Sequence, residues 1–440
     1  MTTVDQDLHA GVHPRRQGLV LAAAALVTAP GLVLRLAHPH VPHVAAAVLF
    51  GAAIVGAAFV LSWAAEVAQL DISAGLAIAL LAFIAVLPEY AISFVFAWKG
   101  GRSSAKYGSV CHAPHSASAS PCSLTLANMT GSNRLLIGIG WSLVVFIAWY
   151  QWRRRGQRSS GVALERSHSV ELSFLALATA YSLTLPLKRT ITLLDAGVLI
   201  AIFVAYTVRI SRAPAEEPHL VGPARWIGSF PEARRRGSVV GLFVFAAVVI
   251  VLCAEPFADA LVATGAQLGI SEFLLVQWLA PLASEAPELL VAGLYAWRLN
   301  TNAGLGTLVS SKVNQWTLLV GTLPIAFAVS AHRVTGLPIH GNQRGELFLT
   351  AAQSVFAVAI LADLSLGGRE AAMLFCLFWA QFLIGAVVPH SMHGAERVIV
   401  SVTYLVLGAG VLLRGRRRGT IGRLLRDGFR TSYAELGTPR

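Results

Sequence analysis

Charged side chains are scarce in this chain of 440 residues, and their scarcity excludes a soluble protein of ordinary composition. Asp, Glu, Lys and Arg together make up 13% of the residues, whereas hydrophobic residues make up 55% and the mean hydropathy is +0.65. Lipid has to solvate a chain of this composition. The sequence therefore predicts a multi-pass membrane protein.

Sequence features typical of enzymes are also missing. The chain contains no nucleotide-binding loop, no nucleophile elbow and no zinc-hydrolase helix. Its four cysteines have no zinc-type spacing. We therefore expect a protein that is not an enzyme and that has no cofactor, its only small-molecule partner being a transported inorganic cation.

Long apolar segments recur along the whole chain. A membrane-spanning helix needs about 20 mostly apolar residues, and twelve such segments are predicted. They lie at residues 17–37, 43–69, 72–99, 122–151, 171–187, 190–211, 238–265, 271–298, 303–331, 347–366, 370–388 and 396–414. The predicted fold is all-α.

Positive charge is distributed in a way that predicts the topology. The net charge is +12 and the isoelectric point is about 10.1. The arginines concentrate in the connectors 153–169 and 212–237 and in the tail after Arg414. The positive-inside rule places these segments, and both termini, on the cytoplasmic side of an inner membrane. Contact with the lipid bilayer accounts for the charge without a nucleic-acid partner.

Two parts of the sequence resemble each other. Pro88-Glu89 and Pro287-Glu288 are each followed nine residues later by Ala-Trp, at an offset of 199 residues (288 − 89). Further on, residues 128–133 align with residues 307–312 at an offset of 179 (307 − 128). The difference indicates an insertion of about 20 residues in the first copy, predicted as an outer loop at 101–121.

The copies lie in two predicted halves of five spans each, and an odd number of spans turns the second half upside down relative to the first. The predicted fold is therefore two inverted five-helix repeats with one extra helix at each end. The predicted segments are a cytoplasmic N-terminus (1–16), an extra first helix (17–42), the first half (43–211, with its motif at 84–151), a basic linker (212–237), the second half (238–388, with its motif at 271–331), an extra last helix (389–414) and a basic cytoplasmic tail (415–440).

Acidic residues inside two spans mark the candidate site. A carboxylate in a spanning helix costs about 3 kcal/mol or more, so Glu89 and Glu288 need a partner or a cavity. Pro88 and Pro287 break the helical hydrogen bonding and leave carbonyl oxygens free nearby. Carboxylate and carbonyl oxygens are the ligands that hard cations prefer. The alternative is a pair of kink prolines with incidental acids, and the recurrence in register favours the cation site.

Neutral oxygen-bearing side chains follow at helical spacing after each Pro-Glu pair. The candidates are Asn128 and Ser132 in the first copy, and Thr307, Ser311 and Asn314 in the second. The alternative is polar contact between packed helices. Lys312 lies among them, as a charge-compensating partner of Glu285 or Glu288, or as a side chain that snorkels to the cytoplasmic surface.

Cys111 and Cys122 share the predicted outer loop, whereas Cys253 and Cys376 lie in spans. An oxidising compartment outside the membrane would permit a disulfide between the first two. The sequence leaves both the bridged and the unbridged form open.

At the acidic motifs the sequence resembles the Ca²⁺/cation antiporter superfamily, which includes sodium/calcium and proton/calcium exchangers. The family pattern is Gly-Thr-Ser-x-Pro-Glu, followed by Asn and by Gly-Ser-Asn. Pro88-Glu89, Asn128 and Gly131-Ser132-Asn133 match the first copy, and Ser284 with Pro287-Glu288 matches the second. The resemblance implies that both glutamates ligate the cation, with Ser284, Glu285 and the neutral side chains completing the shell. It also implies exchange of Ca²⁺ or a monovalent cation for H⁺ or Na⁺ by alternating access.

Departures from the family pattern bear on the transported ion. Ile84-Ala85-Val86 replaces Gly-Thr-Ser, Glu285 stands where a serine is usual, and Ser310-Ser311-Lys312 replaces Gly-Ser-Asn. Fewer neutral ligands and a built-in lysine favour a cation exchanged for protons. A second hypothesis is a non-transporting membrane sensor or scaffold on the same fold, and retention of both glutamates favours the transporter. The oligomeric state has no signature in the sequence.

Overall fold

The computed structural model describes residues 14–71, 87–112, 119–157, 159, 161–213, 220, 222–387, 392–413 and 419–437. Its helices are α1 (Pro14–Ala37), α2 (His43–Ala68), α3 (Leu87–Tyr107), α4 (Pro121–Leu135), α5 (Ser142–Arg154), α6 (Ser169–Ser182), α7 (Leu193–Ile210), α8 (Pro223–Gly228), α9 (Glu232–Leu268), α10 (Glu272–Trp297), α11 (Thr301–Asn314), α12 (Val320–Ala331), α13 (Gly341–Leu361), α14 (Gly368–Val387), α15 (His393–Leu413), α16 (Thr420–Phe429) and α17 (Tyr433–Leu436). Short strands are β1 (Gly161–Ala163), β2 (Thr190–Ile191), β3 (Leu337–Pro338) and β4 (Ser365–Gly367).

Nine helical segments in the described ranges are long and apolar enough to cross a membrane. They are Pro14–Ala37, His43–Ala68, Pro121–Arg154, Arg166–Leu187, Leu193–Ile210, Glu232–Leu268, Thr301–Ala331, Gly341–Leu361 and His393–Leu413. Each coincides with one of the twelve predicted spans. The predicted spans 271–298 and 370–388 are present as helices α10 and α14. Residues 72–86 of the remaining span lie outside the described residues. The protein is an all-α polytopic membrane protein, as predicted.

The chain divides into two compact units, residues 1–95 with 210–287 and residues 96–209 with 288–440. In the first unit, α2 packs along α9 and against α1. Near the end of α2, Trp63 packs in one cluster with Ile227 of α8 and Val239 of α9. Asp71 follows α2 and accepts hydrogen bonds from Arg235 at 2.8 and 2.6 Å, which hold the pKa of the Asp71 carboxyl below its usual value. Helix α8 and the start of α9 therefore give regular structure to part of the predicted linker 212–237.

The second unit contains one structural pattern twice. Helix α4 continues through a π-helical segment, Leu136–Trp141, into α5, and α11 continues through a π-helical segment, Gln315–Leu319, into α12. The two π segments begin 179 residues apart (315 − 136), which is the offset of the sequence repeat. Such local widening of a helix is frequent at functional sites.

The strands of the second unit pair in a reciprocal way. β1 pairs antiparallel with β4, and β2 pairs antiparallel with β3. Along the chain, β1 follows α5 as β3 follows α12, and β2 precedes α7 as β4 precedes α14. Exchanging the two copies therefore converts one strand pair into the other. This is the pairing expected of two repeats related by a two-fold axis, and it supports the predicted repeat.

The insertion predicted as an outer loop at 101–121 is partly helical, which corrects that interpretation. Helix α3 continues to Tyr107 and is followed by a 3₁₀ turn at Gly108–Val110. The helix extends this far because its backbone packs on α12, where the Ser330 hydroxyl donates a hydrogen bond to the Trp98 carbonyl at 2.5 Å. The segment from Arg102 to Lys106 contains neither glycine nor proline, so its composition also permits a helix. Residues 113–118 of the insertion lie outside the described part of the chain.

The C-terminal segment, predicted only as a basic tail, contains helices and packs within the second unit. Its helix α16 packs on α6, where the Ser173 hydroxyl donates to the Leu424 carbonyl at 3.0 Å. Arg166 forms an ion pair of 2.9 Å with Asp427. A Cβ atom added at Gly428 would lie 2.1 Å from Ser173 Oγ, so only glycine permits this close approach. The charge pattern of the sequence did not reveal that α16 packs on α6, because this packing depends on the close approach of the two backbones at Gly428.

Candidate functional site

Helix α3 carries the first acidic residue of the predicted site. Pro88 and Glu89 are among the first residues of α3 that the structure describes, and the Glu89 side chain is 1% exposed. Residues Ile84-Ala85-Val86, which precede them, lie outside the described residues.

Helix α10 carries the second acidic motif and has Pro281 and Pro287 within it. Glu285 is 2% exposed and Glu288 is half-buried. The Ser284 hydroxyl hydrogen-bonds to the carbonyls of Ala280 and Pro281 at 3.2 Å each, which ties it to its own helix. Glu89 belongs to the first unit and Glu288 to the second. The prediction that the two carboxylates face each other stays a prediction.

The neutral ligands predicted on α4 are deeply buried in the second unit. Asn128 and Ser132 are both 0% exposed, and Ser311, the residue equivalent to Ser132 in the other copy, is 4% exposed. Within the described residues, neither serine hydroxyl has a hydrogen-bond partner. Buried hydroxyls are normally satisfied, commonly by their own helix backbone. The hydroxyls of Ser132 and Ser311 are buried at equivalent positions without such a partner, so their oxygen atoms are suited to bind a cation.

The remaining predicted neutral ligands on α11 have different surroundings. Asn314 is 2% exposed. Thr307 is exposed, and its hydroxyl donates to the Ala303 carbonyl at 2.8 Å. Thr307 is the equivalent of Asn128, so the two copies differ most at this position.

Lys312 is the most unusual residue of the site because its ammonium group is fully buried. Its Nζ atom donates to Asn133 Oδ1 at 2.6 Å and to the Asn133 carbonyl at 2.9 Å, and it lies 4.8 Å from the centre of the Trp316 ring. The side chain is 0% exposed, so it does not snorkel to the surface. Pairing of Lys312 with Glu285 or Glu288 stays a prediction.

Asn133 and Lys312 are equivalent residues of the two repeats, 179 positions apart, and they contact each other. Two equivalent groups can touch only close to the axis that relates the repeats. The contact therefore places Lys312 and Asn133 close to that axis, and we call this pair the centre of the second unit. The sequence marked Lys312 as a candidate but did not indicate Asn133 as its partner.

Close helix packing connects this centre to α10. A Cβ atom added at Gly140, in the first π segment, would lie 2.9 Å from Leu289 Cδ2 and 3.2 Å from Leu308 Cδ1. Leu289 follows Glu288, and Leu308 follows Thr307. The glycine thus allows the three helical segments that carry the second unit's part of the site to meet.

One charged cluster next to the site was missed by the sequence analysis. Arg134, which follows Asn133, is 1% exposed and lies 3.0 Å from Glu346 of α13. Glu346 also contacts Arg397 of α15 at 2.7 Å. A signal was available, because Arg134 lies inside the predicted span 122–151 and an ionised residue in a span is by default a functional candidate.

Cys111 and Cys122 form a disulfide with Cα atoms 6.1 Å apart. Both residues are 0% exposed. Ser103 donates to the Cys111 carbonyl at 2.6 Å. The bridge therefore closes the end of α3 onto the start of α4, ahead of the helix that carries Asn128 and Ser132.

Within the described ranges, no group of three or more histidine, cysteine, aspartate or glutamate side chains could hold a metal ion. Hard cations also accept neutral oxygen ligands beside carboxylates. The buried Asn128, Ser132 and Ser311 are of this type.

Comparison with known proteins identifies the family. A model of the family described as sodium/calcium exchanger protein matches residues 42–211 and 238–388. The chain belongs to this exchanger family. The two matched ranges coincide with the halves predicted at 43–211 and 238–388, and the resemblance to Ca²⁺/cation antiporters is confirmed. The protein is thus a multi-pass membrane protein of an exchanger family, and this family is one of transporters and not of enzymes.

Solved structures agree with membership of the exchanger family. The crystal structure of an H⁺/Ca²⁺ exchanger, CAX, is 40% identical in sequence with a TM-score of 0.85, and the match covers 96% of this chain and 99% of that chain. The crystal structure of a Ca²⁺/H⁺ antiporter protein, YfkE, is 15% identical with a TM-score of 0.57, covering 89% of this chain and 100% of that chain. The second likeness shows a shared fold. A comparison with curated proteins finds no significant match.

Proposed function

We propose that this protein is a secondary antiporter that exchanges Ca²⁺ for protons by alternating access. The observation that carries the proposal is the recurrence of Pro-Glu in both repeats of a chain that is 40% identical, over 96% of its length, to an H⁺/Ca²⁺ exchanger. The buried Glu89 and the buried hydroxyls of Ser132 and Ser311 support it.

The proposed ligands of the transported cation are Glu89 and Glu288, assisted by Asn128, Ser132, Ser284, Glu285, Thr307, Ser311 and Asn314. If Glu89 and Glu288 share one site within the membrane, their carboxylates cannot both stay charged without a cation or a proton between them. Binding of Ca²⁺ then requires release of protons, because carboxylate ligands must be deprotonated. This competition couples the two ion flows.

Lys312 also takes part in the proposed coupling. Its ammonium group donates hydrogen bonds to both oxygens of Asn133. We propose that its positive charge offsets negative charge at the site while the site holds no Ca²⁺. A permanent positive charge reduces the number of Na⁺ ions that the site can accept. It therefore favours protons over Na⁺ as the counter-ion.

The proposed topology has twelve spans with both termini in the cytoplasm of an inner membrane, because the arginine-rich connectors then lie inside. We expect reporter fusions within 212–237 and after Arg414 to be cytoplasmic. A fusion near Cys111 should be external, where a disulfide is stable. External location of either basic segment would contradict this orientation.

Transport in inverted membrane vesicles tests the function. With an imposed pH gradient, added Ca²⁺ should dissipate the gradient and ⁴⁵Ca²⁺ should accumulate, whereas Na⁺ and K⁺ should have little effect. Vesicles without the protein are the control. Na⁺-driven Ca²⁺ movement without a pH requirement would reject the proton as counter-ion. Absence of any ion movement would favour a non-transporting sensor or scaffold.

A further inference from the structure

A chain of buried ion pairs connects the last membrane helix to the centre of the second unit. Arg134 Nη2 lies 3.0 Å from Glu346 Oε2, and Glu346 Oε1 lies 2.7 Å from Arg397 Nε. The Arg134 and Glu346 side chains are 1% and 3% exposed. Buried charges persist only where geometry and hydrogen bonds are favourable. The pairs therefore hold α4, α13 and α15 in one relative position.

Two further contacts converge on Arg134. Its Nη1 donates to Gln381 Oε1 of α14 at 3.1 Å, and its carbonyl lies 3.5 Å from Gln353 Nε2 of α13. Arg134 directly follows Asn133 and precedes the π segment Leu136–Trp141. Helices α13 and α14 thus hold α4 at Arg134, the residue next to the one that binds Lys312.

This anchor belongs to one copy of the repeat. At the offset of 179, the equivalent of Arg134 is Val313, an apolar residue that is 0% exposed. The second copy has its charge one position earlier, at Lys312, and that charge binds Asn133 of the first copy. Lys312 of the second copy therefore contacts Asn133, and Arg134 of the first copy anchors α4, the helix that carries Asn133.

We propose that Arg134, supported by Glu346 and Arg397, is a positioning residue that keeps both oxygens of Asn133 in place for Lys312, and so sets the cation affinity and pH dependence of exchange. Hydrogen bonds of 2.6 and 2.9 Å to one nitrogen are lost when their acceptors move by about 1 Å. Helix α15 lies beyond the residues matched by the family model, 42–211 and 238–388. Its residue Arg397 nevertheless contacts Glu346, the partner of Arg134, and so helps to hold Arg134 in position.

The test compares Arg134→Met and Arg134→Lys with the unmodified protein in the same vesicles, over a range of Ca²⁺ concentration and pH. It rests on the proposed function, which the unmodified protein tests by itself. We expect Arg134→Met to change the apparent KM for Ca²⁺ by about tenfold and to shift the pH profile, with a smaller effect on the maximal rate. Arg134→Lys keeps the positive charge, so its KM for Ca²⁺ and its pH profile should lie between those of Arg134→Met and those of the unmodified protein. Arg166→Met, which removes an ion pair with Asp427, is the matched control and should change neither.

A double-mutant cycle separates positioning from general support of the fold. If Arg134 acts through Lys312, Arg134→Met should shift the pH profile much less when Lys312 is already asparagine. Additive shifts would overturn the proposal, as would a folded Arg134→Met protein with unchanged KM and pH profile. If Arg134→Met does not fold, Arg397→Met leaves the Arg134–Glu346 pair intact and should give a smaller shift in the same direction. Unchanged behaviour of that variant would also overturn the proposal.

The pH dependence of thermal unfolding provides a readout that does not need transport. The midpoint temperature of the purified protein is measured with and without Ca²⁺ across the same pH range. Coupling between Arg134→Met and Lys312→Asn in these midpoints supports the positioning role even if Ca²⁺ is not the transported ion. Independent effects of the two substitutions at every pH would reject it.

Discussion

Glutamine in place of Glu89 or Glu288 should stop Ca²⁺/H⁺ exchange while the protein stays folded. Each substitution keeps the size of the side chain but removes its negative charge and its proton-binding group. Loss of a partner that only supports a metal ligand typically costs 10–100-fold in affinity or activity, so loss of a direct ligand should reduce exchange by at least about a hundredfold. Rates of proton release driven by Ca²⁺ in inverted vesicles measure the effect.

The control is Glu232→Gln. Glu232 is an exposed residue at the start of α9 that pairs with Arg236 on the surface, and such pairs contribute little. This variant should exchange at the unmodified rate. If both site variants also exchange normally, the carboxylates are structural and the proposed mechanism is wrong. Midpoint temperatures close to that of the unmodified protein are required of all three variants.

Asparagine in place of Lys312 should change the ion preference and the pH dependence more than the maximal rate. The substitution removes the buried positive charge and gives the second copy the residue that the first copy has at Asn133. Asparagine is too short to keep the contact that Lys312 makes with Asn133, so the midpoint temperature must show that the variant stays folded. Removing a cation near the site should lower the apparent KM for Ca²⁺ by about tenfold and flatten the pH profile.

Lys106→Asn is the matched control, because Lys106 is exposed near the end of α3. It should leave the KM and the pH profile unchanged. A Lys312→Asn protein that is folded, and that has the unmodified KM, ion preference and pH profile, would show that the lysine does not take part in coupling. Competition with Na⁺ should also be measured, because a site without the lysine charge accepts additional monovalent cations more readily.

Hydropathy and the repeated motif predicted much of the fold from the sequence alone, whereas the orientation predicted from charge stays a prediction. Lipid imposes a strong constraint, because every spanning segment needs a long apolar run and satisfied backbone hydrogen bonds. The repeat was visible because both copies keep Pro-Glu in register, and the π segments that begin at Leu136 and Gln315 occur at the same offset. The extension of α3 to Tyr107 was missed because Ser, Ala and Lys also occur in loops.

The roles predicted for the candidate site residues stay predictions. Glu89, Asn128, Ser132, Ser311 and Lys312 are all buried. Partners were harder to predict, because a side chain can reach several helices and the sequence gives no distances. Pairing of Lys312 with Glu285 or Glu288 stays a prediction, and the sequence did not indicate that the ammonium group also binds the oxygens of Asn133.

The sequence by itself determined the class of the protein, its repeat and its family, because apolar length and motif spacing are properties of the linear chain. Only the tertiary structure decided that Asn133 and Lys312 meet, that Arg134 is held by Glu346, and that the C-terminal segment packs on α6. These contacts join residues 179, 212 (346 − 134) and 251 positions apart. The first two arise because the two copies pack against each other, and the third arises because the C-terminal segment folds back onto α6. In each case the chemistry of the groups does not specify a partner in advance.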